Sequence, residues 1–154
     1  MDFFLNIPNN KTDNTLTEQI LSENDSIEFH KKLPNYSNSQ LFKLKSLSTN
    51  LGCGNIYLKD ESTRFNLNAF KGLGASYAIK KLLTDYPEIS VFCTATDGNH
   101  GKAVAWSASI NKKKSVVYVP NDTTAERIDA IAQFGGEVIQ LDMNYEETCN
   151  YAAE

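Results

Sequence analysis

Three short runs with strand character, SVFCTAT, KSVVYVP and EVIQL, punctuate the second half of the sequence, and a stretch with helical character follows each one. Brief apolar runs enriched in β-branched residues read as buried strands. The stretches KAVAWSASI and TAERIDAIAQFGG read as helices, the second with Ala125, Ile128 and Ala132 on one face and Gly135 placed to end it. Strands that alternate with helices in this way imply an α/β fold, with a parallel sheet carrying helices on both faces. A last stretch, NYEETCNYAAE, begins a helix that has no C-cap before the sequence stops. More chain is therefore expected beyond it.

The first half is less regular. Residues 1–37 are rich in Asn, Ser, Thr and Asp and show little periodicity, so they read as an irregular leader with one short helix around Leu16 to Ser22. From residue 38 to residue 154 the pattern is that of the α/β domain. SQLFKLKSLSTNLG offers a serine N-cap at Ser39, apolar residues at helical spacing and Gly52 as a stop, and predicts a helix. NIYLKD predicts a short strand. A longer helix is expected over Ala69 to Thr84, ending before Pro87.

Composition narrows the function classes. With 154 residues, 41% hydrophobic and 22% charged, the chain suits one globular domain with a real core. A net charge of −4, with Lys112 to Lys114 as the single basic run, gives no footprint for nucleic acid. No apolar run is long enough to span a bilayer, and the polar N-terminus shows no secretory signal. Cys53, Cys93 and Cys149 are odd in number and far apart, which fits neither a disulfide framework nor a metal motif. A reducing, cytoplasmic setting follows as the expectation. His30 and His100 are too few for a zinc pattern.

Within RFNLNAFKGLGASYAIKKLL, Lys71 stands in the first turn of the expected helix, where the helix dipole mildly disfavours a cation. On a helical wheel Ala75, Ala78 and Leu82 fall within about 40° of it, while Lys80 points away. Partial burial on that small-residue face, beside a helix N-terminus, would favour the neutral amine. A neutral amine is a nucleophile able to form a Schiff base with an aldehyde. The same wheel position also fits a lysine that runs along an apolar stripe out to solvent. Gly72 and Gly74 lie inside the helix and form no dinucleotide fingerprint; small residues there allow close approach of another backbone or a flat ligand.

TATDGNHGKAVAWSA reads as a strand end, a tight turn and a helix start, the position where doubly wound sheets bind ligands. Asp97 can act there as an acid or base, and Asn99 can donate to an anionic or phenolic oxygen. Both residues also fit a turn held by Asx hydrogen bonds and a helix cap. His100 reads as structural, because no partners for a triad are present.

Taken together, YLKDESTRFNLNAFKGLGASYA and TATDGNHGKAVAWSA resemble the fold type II pyridoxal-phosphate enzymes, of tryptophan synthase beta-like architecture, and among them the diaminopropionate ammonia-lyases. The broader family, with its threonine and serine dehydratases, reads K-x-E, S-F-K and S-G-N-H-A-Q-G at these places. Here NAFK and DGNHG stand instead, and both departures point to the diaminopropionate branch. The resemblance runs from about Tyr36 onward and implies pyridoxal phosphate as cofactor. Lys71 matches the lysine that holds the cofactor's aldehyde, Asn99 the asparagine on the ring's 3-hydroxyl, and Asp97 a second acid/base.

The implied reaction is α,β-elimination of 2,3-diaminopropionate, a small amino acid, to pyruvate and two ammonia, by a homodimer in the intact enzyme. The alternatives are a threonine or serine dehydratase relative, against which Asp97 in place of serine argues, and a non-catalytic remnant acting as an interaction partner. Intact members are far longer, and their glycine-rich phosphate loop lies beyond the point matching Glu154. The chain is accordingly expected to be a truncated, N-terminal part that by itself holds the cofactor weakly and catalyses little.

Overall fold

The computed structural model describes residues 25–154, so the helix expected around Leu16 to Ser22 lies outside the described residues. In chain order the elements are α1 (Asp25–Lys31), β1 (Gln40–Lys43), α2 (Lys45–Asn50), β2 (Tyr57–Asp60) and a short 3-10 turn (Arg64–Asn66). They continue as α3 (Lys71–Asp85), β3 (Val91–Ala95), α4 (Asn99–Ile110) and β4 (Lys114–Val119). The last three are α5 (Ala125–Ala132), β5 (Gly136–Gln140) and α6 (Tyr145–Ala153).

The alternation of the second half becomes a parallel sheet of order β3-β4-β5, with Val91 opposite Lys114 and Ser115 opposite Gly136. Along β4 the side chains alternate between faces. Ser115, Val117 and Val119 are buried, and the two valines cluster with Ala105 of α4 and Ile131 of α5. Tyr118 points the other way and meets Tyr151 of α6 edge-on, ring centroids 5.2 Å apart. Helices therefore cover both faces, as the pattern of buried strands and amphipathic helices requires. α4 lies unusually close to the sheet: a Cβ on Gly101 would fall 2.5 Å from Thr96 Cγ2 and 2.9 Å from Val117 Cγ1. A second cluster joins Ala75 and Ile79 of α3 to Phe92 of β3 and to Ala103, Val104 and Ala108 of α4. Small side chains on both helices bring α3 against α4, which places the start of each at the same end of the sheet.

The first half departs from the sequence reading in two places. Instead of one helix from Ser39 to Gly52, residues Gln40–Lys43 form a strand paired antiparallel with β2, Gln40 opposite Asp60 and Lys43 opposite Tyr57. The helix begins only at Lys45. Leu41, Phe42 and Leu44 satisfy strand and helix spacing equally over so short a run, and the neighbouring strand decides between them. The stretch read as irregular also holds α1. Its His30 Nε2–H donates to the Leu73 carbonyl over 2.8 Å, and Phe29 packs on Tyr77 with centroids 5.7 Å apart. Among the described residues no helix is long and apolar enough to cross a membrane.

Candidate active site

α3 begins at Lys71 without a side-chain cap, so the first N–H groups of the helix are not satisfied by a capping oxygen. The Lys71 amine lies 5.3 Å from the centroid of the Phe70 ring, a cation–π arrangement on an exposed aromatic. The burial expected for Lys71 is not found, for the residue is exposed. The stripe that α3 buries is Gly72, Ala75, Ser76 and Ile79, whereas Ala78 and Leu82 are exposed. The contact with α4 is made by the neighbouring stripe, about 100° round the helix from Lys71. The lysine stands at the margin of that contact, where its amine reaches solvent.

The loop after β3 is organised by Thr96 rather than by Asx turns. Thr96 is buried, and its Oγ1 accepts the Gly98 N–H over 3.1 Å. Asp97 is turned outward. Its carbonyl accepts from Arg127 Nη1 at 3.1 Å, and its carboxylate lies 3.7 Å from the same guanidinium. Both side chains are more than half exposed, so this ion pair contributes only about 0–1 kcal/mol to stability. Its consequence is orientation: one guanidinium ties both the backbone and the carboxylate of Asp97 to α5. Asn99 is the first residue of α4, which like α3 starts without a side-chain cap.

A cavity of about 490 Å³ opens between the start of α3, the β3–α4 loop and the first turns of α5 and α6. Lys71, Asp97 and Asn99 all line it, together with His100, Arg127 and Tyr145. The structure thus brings the three residues singled out in the sequence into one space, of a size usual for small-molecule sites. His100 also faces this space. Partial desolvation, and after that the Lys71 ammonium, hold the pKa of this exposed side chain below the ordinary histidine value. The Tyr145 phenol is pushed up, chiefly by its neighbour Cys149 and least by the Asp97 carboxylate.

Sequence reasoning set His100 aside as structural and passed over Arg127 and Tyr145. The sequence did carry a signal for the last two. Both open helices that follow β4 and β5, and in a parallel sheet those helix starts share the rim on which the β3–α4 loop lies. Chemically, the set comprises an amine that can bond an aldehyde, a carboxamide that can donate to a ring oxygen, and a carboxylate that can move a proton. These groups suit a flat, aldehyde-bearing ring.

The family model described as pyridoxal-phosphate dependent enzyme matches residues 32–154. The chain belongs to this family. Among its relatives, diaminopropionate ammonia-lyase of Salmonella typhimurium is 45% identical over 147 residues, covering 82% of this chain and 36% of the relative. The biosynthetic L-threonine dehydratase of the same organism is 34% identical over 114 residues, covering 74% of this chain and 22% of the relative. A solved structure of Escherichia coli diaminopropionate ammonia lyase, in complex with an aminoacrylate-PLP azomethine reaction intermediate, superposes with a TM-score of 0.80 at 40% identity. That match covers 83% of this chain and 36% of the solved one. The chain therefore spans little more than a third of the length of these lyases. The α/β architecture expected from the sequence is the one these family members share.

Proposed function

We propose that this chain carries the lysine-bearing part of the active site of a pyridoxal-phosphate-dependent carbon–nitrogen lyase that converts 2,3-diaminopropionate and water to pyruvate and two ammonia. The observation that carries the reading is the convergence of Lys71, Asp97 and Asn99 on one cavity, in a chain 45% identical to a diaminopropionate ammonia-lyase over 147 residues. When bound, the cofactor's ring serves as an electron sink for charge developing at the substrate α-carbon. Lys71, exposed at the cavity margin, is free to bond the cofactor's aldehyde and afterwards, as a neutral amine, to take the α-proton. Asn99 holds the ring's 3-hydroxyl oxygen through its carboxamide N–H. Asp97 is the second acid/base, and Arg127 keeps its carboxylate oriented.

The threonine dehydratase reading has weaker support, 34% identity over 114 residues, and an aspartate occupies the loop position where that reading expects serine. Pyruvate release from diaminopropionate against 2-oxobutyrate release from threonine, measured on the full-length protein, separates the two. For the intact enzyme the proposal includes a homodimer, tested by light scattering. It also includes a cytoplasmic location, supported by three free cysteines of which Cys53 and Cys93 are exposed.

The direct test is reductive trapping. The purified chain is incubated with excess pyridoxal phosphate, reduced with borohydride, digested and mapped. Label concentrated on Lys71 over Lys80 and Lys81 is the expected result. Label centred on another side chain, or spread evenly over the lysines, overturns the assignment.

A further inference from the structure

The residues just before α3 have the most irregular backbone of the described chain. Phe65 (φ 53°), Asn66 (φ 59°) and Asn68 (φ 56°) all lie in the left-handed region, three of the five non-glycine residues that do so among the described residues. Asparagine tolerates that conformation, but a phenylalanine held there must be held by its surroundings. Phe65 is 1% exposed and stacks on Trp106 of α4, ring centroids 4.8 Å apart and planes 24° from parallel. Leu67 is equally buried, and its N–H donates to the Arg64 carbonyl over 2.8 Å.

Upstream, the buried Arg64 guanidinium clamps the entry to this knuckle. Nε donates to Glu61 Oε2 at 2.7 Å, Nη1 to the Ser37 carbonyl at 2.7 Å, and Nη2 to Ser39 Oγ at 2.9 Å and Glu61 Oε1 at 3.2 Å. Downstream, the knuckle presses on the second residue of α3. A Cβ on Gly72 would fall 2.7 Å from Leu67 Cδ1 and 2.9 Å from Phe65 Cδ2. Glycine at 72 is thus what allows Phe65 and Leu67 to seat directly beneath Lys71. The lysine has an exposed side chain on a backbone that is packed from below.

We propose that Phe65 and Leu67 are positioning residues for Lys71: seated against Gly72, and joined through the Phe65–Trp106 stack to the helix that begins with Asn99, they set the Lys71 amine relative to the loop of Asp97 and Asn99. The inference rests on Lys71 being the lysine that bonds the cofactor's aldehyde. A ring whose aldehyde would be bonded by the amine on α3 and whose hydroxyl would be held by the carboxamide on α4 requires those two helix starts to keep a set separation. The stack is a rigid contact tying the approach to α3 to α4, whereas a lysine side chain alone, with its flexible four-carbon stem, sets nothing.

Gly72→Ala adds a methyl group where the knuckle leaves no room. In the 154-residue chain, treated with pyridoxal phosphate and borohydride, the label on Lys71 relative to Lys80 and Lys81 falls by about tenfold or more, the scale on which a displaced reacting group loses rate. Amide hydrogen exchange rises over residues 64–75 and is unchanged over α4 and the parallel sheet. Leu67→Ala on its own, which empties part of the seat without adding an atom, lowers the label in the same direction; a folded Leu67→Ala chain that labels as the unsubstituted one does overturns the proposal. If Gly72→Ala does not fold, Phe65→Leu takes its place, since it removes the stack without adding an atom and carries the same expectation. Undiminished Lys71 labelling in either folded variant overturns the proposal. Even labelling in the unsubstituted chain overturns the proposed function. The positioning role rests on that function and falls with it, whereas selective labelling of the unsubstituted chain that survives Gly72→Ala overturns the positioning role alone.

Discussion

Residues 91–153 and residues 36–70 build their buried parts by opposite means. The first region is periodic. Alternate residues of β4 face α4 and α5 or face α6, and each helix contributes one stripe to the core. The second is held by particular contacts, namely a guanidinium with partners on three residues, an aromatic stack and three left-handed residues within four positions. The candidate site draws on both. Asp97 and Asn99 hang from the periodic region, and Lys71 follows directly on the irregular one. Under the proposed function, the regular sheet presents the loop of Asp97 and Asn99, while the amine at the start of α3 follows a segment held by individual packed contacts.

The largest effect is expected where the periodic core is hollowed. Ile131 is fully buried among Ala105, Val117 and Val119, and Ile131→Ala should lower unfolding free energy by about 3–4 kcal/mol. Denaturant titration should show one cooperative loss across the whole domain; a loss confined to α5 would mean that the periodic half is not one unit. Arg64→Ala comes next. It strands Glu61, whose side chain is 19% exposed, and should cost about 3 kcal/mol. Here hydrogen exchange should show residues 36–70 opening before the parallel sheet. If the sheet opens first, the two halves do not unfold as separable regions.

A smaller effect should appear with pH. The hydrogen bond from Arg64 holds the Glu61 carboxyl below its ordinary value of 4.5, with Ser39 and Lys59 assisting against a modest burial penalty. A carboxylate with a depressed folded-state pKa contributes its stability fully above the unfolded value and loses it as pH falls through the folded one. Thermal midpoints should thus decline below pH 4.5, and Glu61→Gln should flatten that part of the decline. A Glu61→Gln profile parallel to the original would mean that the ion pair has no part in acid stability.

The smallest pair of effects separates the halves by backbone alone. Asn66, at φ 59°, should accept glycine with a gain of up to about 0.5–1 kcal/mol, because glycine carries no penalty in the left-handed region. Gly74 lies inside α3, and a Cβ added there would meet nothing within 4 Å, so Gly74→Ala should gain about 0.5–1 kcal/mol from helix propensity. Calorimetry on the two variants checks both signs. A destabilising Asn66→Gly would show that the Asn66 side chain, not its backbone, holds the turn.

How far the sequence could be read follows from these same residues. SVFCTAT, KSVVYVP and EVIQL were recognisable because a buried strand in a parallel sheet announces itself in a handful of consecutive side chains. QLFK was not, since its pairing with YLKD lies elsewhere in the chain and four residues satisfy two periods at once. Lys71, Asp97 and Asn99 could be singled out because residue type and motif spacing are local properties. Arg127 escaped because its partner is thirty positions away.

The amino-acid sequence alone determined the order of strands and helices from residue 91 onward and the three residues that converge on the cavity, for both depend on spacing along the chain. Only the tertiary structure decided that Lys71 is exposed, that β1 is a strand, that Arg127 ties down Asp97, and that Phe65 is held left-handed against Gly72 and Trp106. Each of these depends on which surface arrives opposite, and spacing within one segment carries no information about that.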